Sequence, residues 1–129
     1  MIFKEGTPIY MQIAERLQDE ILAGRYAEGD RVPSVREYSV LLEVNVNTAV
    51  KAYEQLAALG VIYNRRGMGY FVAEGAAAAI LKQRRRLFLD EELPELFRRM
   101  DLLGIAPDEL MARWRDFRAA RNGTGGAAP

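Results

Sequence analysis

Residues 33–69 read PSVREYSVLLEVNVNTAVKAYEQLAALGVIYNRRGMG. Ser34 is a helix-capping residue type, and Glu37 stands three positions later, the spacing of a capping box. Apolar Tyr38, Leu41 and Leu42 follow before Glu43-Val44-Asn45 interrupts the pattern. Asn45 suits the N-cap of a second helix, which runs to Leu59 and stops at Gly60. Two short helices joined by a turn of about three residues form a helix-turn-helix. Next come two short β-type runs, Val61-Ile62-Tyr63 and Tyr70-Phe71-Val72. Arg65, Arg66, Gly67 and Gly69 fall in the turn between them, so the hairpin has a basic, glycine-bearing tip. A helix-turn-helix followed by such a wing is an arrangement that reads DNA. The expected fold is therefore mainly α with a small β-hairpin wing, followed by a C-terminal helical region.

Composition sets the outer limits. At 129 residues the chain suits one compact domain, or one domain with an appendage. Half of its residues are hydrophobic, enough for a core. Its 18 basic and 18 acidic side chains cancel, which disfavours a DNA binder, because phosphate neutralisation dominates affinity. From Arg31 to Gly69, however, Arg31, Arg36, Lys51, Arg65 and Arg66 outnumber Glu37, Glu43 and Glu54. Cysteine and histidine are both absent, so the reading includes no disulfide, thiolate nucleophile, zinc finger or other metal site. No phosphate-binding glycine loop or nucleophile–base set is present, so neither an enzyme nor a cofactor is expected. Met1-Ile2-Phe3 leads directly into Lys4-Glu5-Gly6, and no apolar run approaches the ~18 residues of a membrane span. A cytoplasmic protein without a membrane partner is expected.

The N-terminal half also matches a known pattern. It comprises Pro8-Ile9-Tyr10-x-Gln12-Ile13, Gly29-Asp30-Arg31-Val32-Pro33-Ser34-Val35-Arg36-Glu37, Val44-Asn45-x-Asn47-Thr48, and Arg66-Gly67-x-Gly69-x-Phe71-Val72. These segments resemble the GntR family of bacterial transcription regulators across Thr7 to Glu74, and most closely its YtrA branch. That branch carries a short helical C-terminal region. The resemblance implies a winged helix-turn-helix that binds an operator as a homodimer, commonly as a repressor of its own operon with transporter genes. Some relatives fuse this domain to a pyridoxal-phosphate enzyme, but the segment after Gly75 is too short for one. The alternative reading is a winged-helix module that binds proteins, which the neutral net charge suits. No motif identifies a small-molecule effector.

Individual residues follow from this reading. Arg36 lies in the first turn of its helix, where free N–H groups and an arginine together suit a phosphate. The resemblance implies the same contact. In the second helix Ala49, Ala52, Tyr53 and Leu56 form the inner face, leaving Asn47, Thr48, Lys51 and Gln55 outside. Asparagine suits adenine, lysine suits guanine and the threonine methyl suits thymine. Asn45 has two expected roles, helix cap and phosphate contact. Many relatives carry arginine where this chain has Val46, so their base preference does not transfer. The resemblance places the wing tip, Arg65, Arg66, Gly67 and Gly69, in the minor groove, where arginine is favoured. Tyr70 and Phe71 are read as strand packing.

The flanking segments are read as support. Thr7-Pro8 is expected to open a first helix whose stripe Tyr10, Ile13, Ala14, Leu17 and Ile21 packs inward. Arg31-Val32 is expected to add a short strand to the hairpin. Glu74-Gly75 marks a boundary between a DNA-binding domain, residues 1–74, and a dimerisation region, residues 75–121. Residues 122–129 are expected to be a disordered tail. Leu89, Leu93, Leu96, Met100 and Leu103 repeat at four-three spacing, with Phe97 and Trp114 alongside. This seam is the expected dimer interface. Pro94 should kink or break the helix just before it, and Arg84-Arg85-Arg86 reads as a solvated face.

Overall fold

The computed structural model describes residues 2–123. The N-terminal unit runs to Arg85. It contains α1 (Ile9–Leu22), α2 (Val35–Leu42), α3 (Val46–Ala58), β1 (Ile62–Arg65), β2 (Gly69–Val72) and most of α4 (Ala76–Leu87). Strands β1 and β2 pair antiparallel, from Ile62 opposite Val72 to Arg65 opposite Gly69. Arg31 bridges to Phe71, and the Val32 N–H donates to the Tyr70 carbonyl at 3.0 Å, so the expected third strand is a single bridge. One core joins these elements: Ile13, Leu17 and Ile21 of α1, Tyr38 and Leu42 of α2, Tyr53 and Leu56 of α3, and Val61, Ile62 and Val72 of the hairpin.

Two local expectations change. Thr7 does not cap α1, whose N-cap is Pro8 with no side-chain cap bond. Gln12 instead ties the preceding segment to the helix: its side-chain amide donates to the carbonyls of Lys4 and Thr7, both at 2.9 Å, while its oxygen accepts from the Lys4 N–H. A glutamine amide can donate to two carbonyls while its oxygen accepts, whereas a threonine hydroxyl has a single proton to donate. The second change concerns the chain after Gly75. Ala76 and Ile80 are fully buried members of the core cluster. Gln83 accepts from Gln18 at 3.1 Å, and Arg84 donates to Asp19 at 2.8 Å. The start of α4 therefore completes the N-terminal unit beyond Glu74, and Arg84 is a tie to α1, unlike the solvated residue expected.

The second unit begins at Arg86. The regular α-helix is interrupted just before Pro94. A wider π turn spans Phe88–Glu92, with the Leu93 N–H donating to the Phe88 carbonyl five residues back. Helix α5 (Leu93–Leu103) then starts with Pro94 in its first turn, a position where proline's fixed φ suits a helix. Gly104 ends α5 in the left-handed conformation, and α6 (Pro107–Gly123) follows. Asn122 and Gly123 belong to α6, and the remainder of the expected tail lies outside the described residues.

Candidate nucleic-acid interface

The start of α2 is built as its residues dictate. The Glu37 N–H donates to Ser34 Oγ, and the Ser34 N–H donates to Glu37 Oε1, both at 3.0 Å. These bonds close the capping box and hold the Glu37 carboxyl below its ordinary value of 4.5. The Ser34 N–H contributes most, then its hydroxyl, with a smaller pull from Arg31. Arg36 is exposed beside them in the first turn. Glu43 ends α2 at φ +56°, the one non-glycine residue with positive φ among those described. That left-handed residue turns the chain into α3.

Asn45 caps α3 by accepting from the Asn47 N–H at 2.8 Å. Helix α3 is clamped from behind by tyrosines. The Tyr53 hydroxyl donates to the Pro33 carbonyl at 2.6 Å, and its ring meets Tyr70 edge-on at 5.2 Å and Tyr38 at 6.1 Å. Tyr38 in turn donates to Glu20 of α1 at 2.6 Å. Ala49, Ala52, Tyr53 and Leu56 are buried, so Asn47 faces outward with Val50, Lys51 and Glu54. Thr48 is half-buried on the flank. Lys51 is exposed, but its ammonium sits over the Tyr10 ring of α1, 4.1 Å from the centroid. This cation–π contact holds the side chain on the α1 side of the helix.

At the wing, the Met68 N–H donates to the Arg65 carbonyl at 2.8 Å, and Arg66, Gly67 and Met68 form the exposed tip. Arg65 is drawn back: its guanidinium lies over Phe71, 5.1 Å from the ring centroid. Phe71 also stacks on Tyr63 at 5.9 Å. Tyr70 and Phe71 thus pack within the unit, as expected. Gly69 has φ +103°, and a Cβ there would lie 3.1 Å from Arg31 Nε. The glycine makes room for Arg31, a residue that spacing assigned only to a strand. Its signal in the sequence is faint, because arginine and glycine meet only through the bridge to Phe71. The structure therefore brings Arg36, Asn47, Arg65, Arg66, Gly67 and Gly69 into one unit with the capped start of α3, and adds Arg31.

These features have close counterparts. The model for "Bacterial regulatory proteins, gntR family" matches residues 9–72. The transcriptional repressor YtrA of Bacillus subtilis (strain 168) is 32% identical over 107 residues, covering 83% of this chain and 82% of that protein. The chain belongs to the GntR family of DNA-binding transcription regulators. YhcF, an uncharacterised regulator of the same bacterium, is 32% identical over 115 residues, covering 89% of this chain and 93% of its own. A GntR-family regulator structure from Bacteroides thetaiotaomicron superposes with a TM-score of 0.81 at 46% identity, covering 88% of this chain and 100% of that one. The DNA-binding domain of AraR in complex with operator ORX1 gives a TM-score of 0.53 at 27% identity, over 56% of this chain and 93% of its own.

The apolar residues of the second unit are also placed. Leu89, Phe97, Leu103 and Trp114 are exposed, and Leu93 and Leu96 are half-buried. Met100 differs: it is 8% exposed and lines a small depression with Phe97, Ile105, Leu110 and Met111. It therefore packs largely inside its own unit. Phe117, which helical spacing puts on the same stripe as Trp114, stacks on it at 5.9 Å and is itself exposed. Among the described residues, no helix is long and apolar enough to cross a membrane.

Proposed function

We propose that this GntR regulator is a homodimeric repressor of a palindromic operator, acting on its own operon together with transporter genes. The observation that carries the dimer is α6. None of its seventeen residues is buried, yet Met111, Trp114 and Phe117 stand out at helical spacing. An isolated helix of this length is marginal in water and draws its stability from packing an apolar face. Exposed aromatic rings in such a face suit a second copy of the same chain, since isologous dimers are the commonest assembly. The similar repressor YtrA supports the direction of regulation, and the AraR–operator complex supports the ligand. Arg36, Asn45 and Arg66 contact phosphates in this reading. Asn47, Thr48 and Lys51 meet base edges, and Arg65, Gly67 and Gly69 shape the wing. Leu89, Leu93, Leu96, Phe97, Leu103 and Trp114 form the dimer contact.

The test pairs genomic selection with sedimentation. Bound duplexes enriched from genomic fragments should share a two-fold symmetric site near the chain's own gene. Trp114→Glu should convert a dimer into a monomer and weaken binding to the full site by about 10²–10⁴, the usual contribution of tethering two modules. A wild-type monomer that still binds a full site tightly would remove the dimer. Arg36→Ala should weaken all duplexes alike and make the salt dependence shallower.

A further inference from the structure

Two valines on α3 stand outside the buried core. Val46 and Val50 stand one turn apart in the first turns of the helix and are 39% and 38% exposed. Neither is among the buried residues of the core cluster. A β-branched residue on a helix surface forms helix less well than alanine, so local structure does not favour this pair. They flank Asn47, which is also exposed and whose backbone N–H is held by Asn45. The three residues form one surface at the end of the helix that enters the major groove in this fold.

The chemistry of that surface limits what it can read. Each base pair shows a distinct pattern in the major groove, and thymine alone of the four standard bases offers a methyl group there. An isopropyl group has no polar atom. Set against the edge of guanine or cytosine, it would strip water from donors or acceptors and leave them unpaired. Against a thymine methyl it buries apolar surface on both sides. We propose that Val46 and Val50 read thymine methyl groups in each operator half-site, beside an adenine met by Asn47. This inference rests on the DNA-binding role of α3 and names the base chemistry of that site.

The experiment uses the full chain and the enriched operator, with deoxyuridine replacing thymidine at one position per half-site. That exchange removes the methyl group and leaves the pairing edge intact. At the contacted thymine, wild-type affinity should fall about fourfold per methyl lost, the transfer value of one buried carbon. Val50→Ala should lose a similar factor on the thymidine operator and nothing further on the matching deoxyuridine operator, a coupling that marks direct contact. Val46→Ala should do the same at a different position. Alanine is the better helix former, so both variants should fold. Wild-type affinity insensitive to deoxyuridine at every thymine of the half-site would overturn the proposal. So would variants that lose equally on both operators, or that lose nothing because the valines cover a protein partner. Failure to enrich any duplex would overturn the operator reading itself, and is distinct from an operator that binds but ignores its methyl groups.

Discussion

Ile80→Ala tests whether the helix after Gly75 belongs to the N-terminal unit. Ile80 has no exposed surface and Ala76 only 1%, and both lie in the cluster that contains Ile13 and Leu17. Truncating a buried isoleucine to alanine costs the transfer free energy of three carbons plus the cavity left behind, ~2–5 kcal/mol. Here the site is closed by α1, and α4 is tied to it by Arg84–Asp19 at 2.8 Å and Gln18–Gln83 at 3.1 Å. Those ties limit collapse, which favours a loss of about 3 kcal/mol. In a fragment of residues 1–85, urea unfolding followed by circular dichroism should show this as a lower midpoint with an unchanged slope. A loss of that size corresponds to roughly 10–20 °C in melting temperature for a domain this small. Leu81→Ala is the internal control, since Leu81 is 57% exposed and its loss should fall below about 1 kcal/mol. A fragment ending at Glu74 should be destabilised at least as much as Ile80→Ala. If Ile80→Ala costs no more than Leu81→Ala, or the shorter fragment matches the longer one, α4 does not complete the core and the reasoning fails.

Other perturbations follow from single contacts. Gly67→Ala should cost about 1–2 kcal/mol from its left-handed backbone alone, because a Cβ there meets nothing within 4 Å. Gly69→Ala should cost more and also weaken operator binding, since its new Cβ would press on Arg31; equal thermal shifts for the two variants would dismiss that contact. Glu43→Gly should stabilise by about 1 kcal/mol by relieving the left-handed residue that ends α2, measurable as a higher urea midpoint. Burial holds the Tyr53 hydroxyl well above its ordinary value of 10.0, with neighbouring Tyr26 and Glu20 adding to the effect. The unfolded chain ionises first, so the stability linked to this group is complete below pH 10 and is lost as pH rises above it. Tyr53→Phe should flatten that alkaline fall while costing about 1–2 kcal/mol near neutrality from the lost bond to Pro33; an unchanged pH profile would contradict the burial.

Short-range relations were legible without coordinates. The Ser34–Glu37 box, the Asn45 cap, the stop at Gly60 and the antiparallel hairpin each involve residues close in sequence, where residue type and spacing specify the bond partners. The inner face of α3 was legible for the same reason: helical periodicity decides which side chains share a side. Spacing could not show which groups from distant segments would compete for one place. Arg84 reaches Asp19, and Gln18 reaches Gln83, across 65 residues of chain. Lys51 lies over Tyr10, Arg31 lies against Gly69, and Gln12 ties the carbonyls of Lys4 and Thr7 to α1. The boundary drawn at Glu74-Gly75 followed a turn in composition. The fold runs past it because α1 still had an apolar stripe to cover, and only the packed structure shows that Ala76 and Ile80 cover it. A heptad repeat likewise says which residues share a stripe, while tertiary contacts decide what each meets, and Met100 is covered within its own unit.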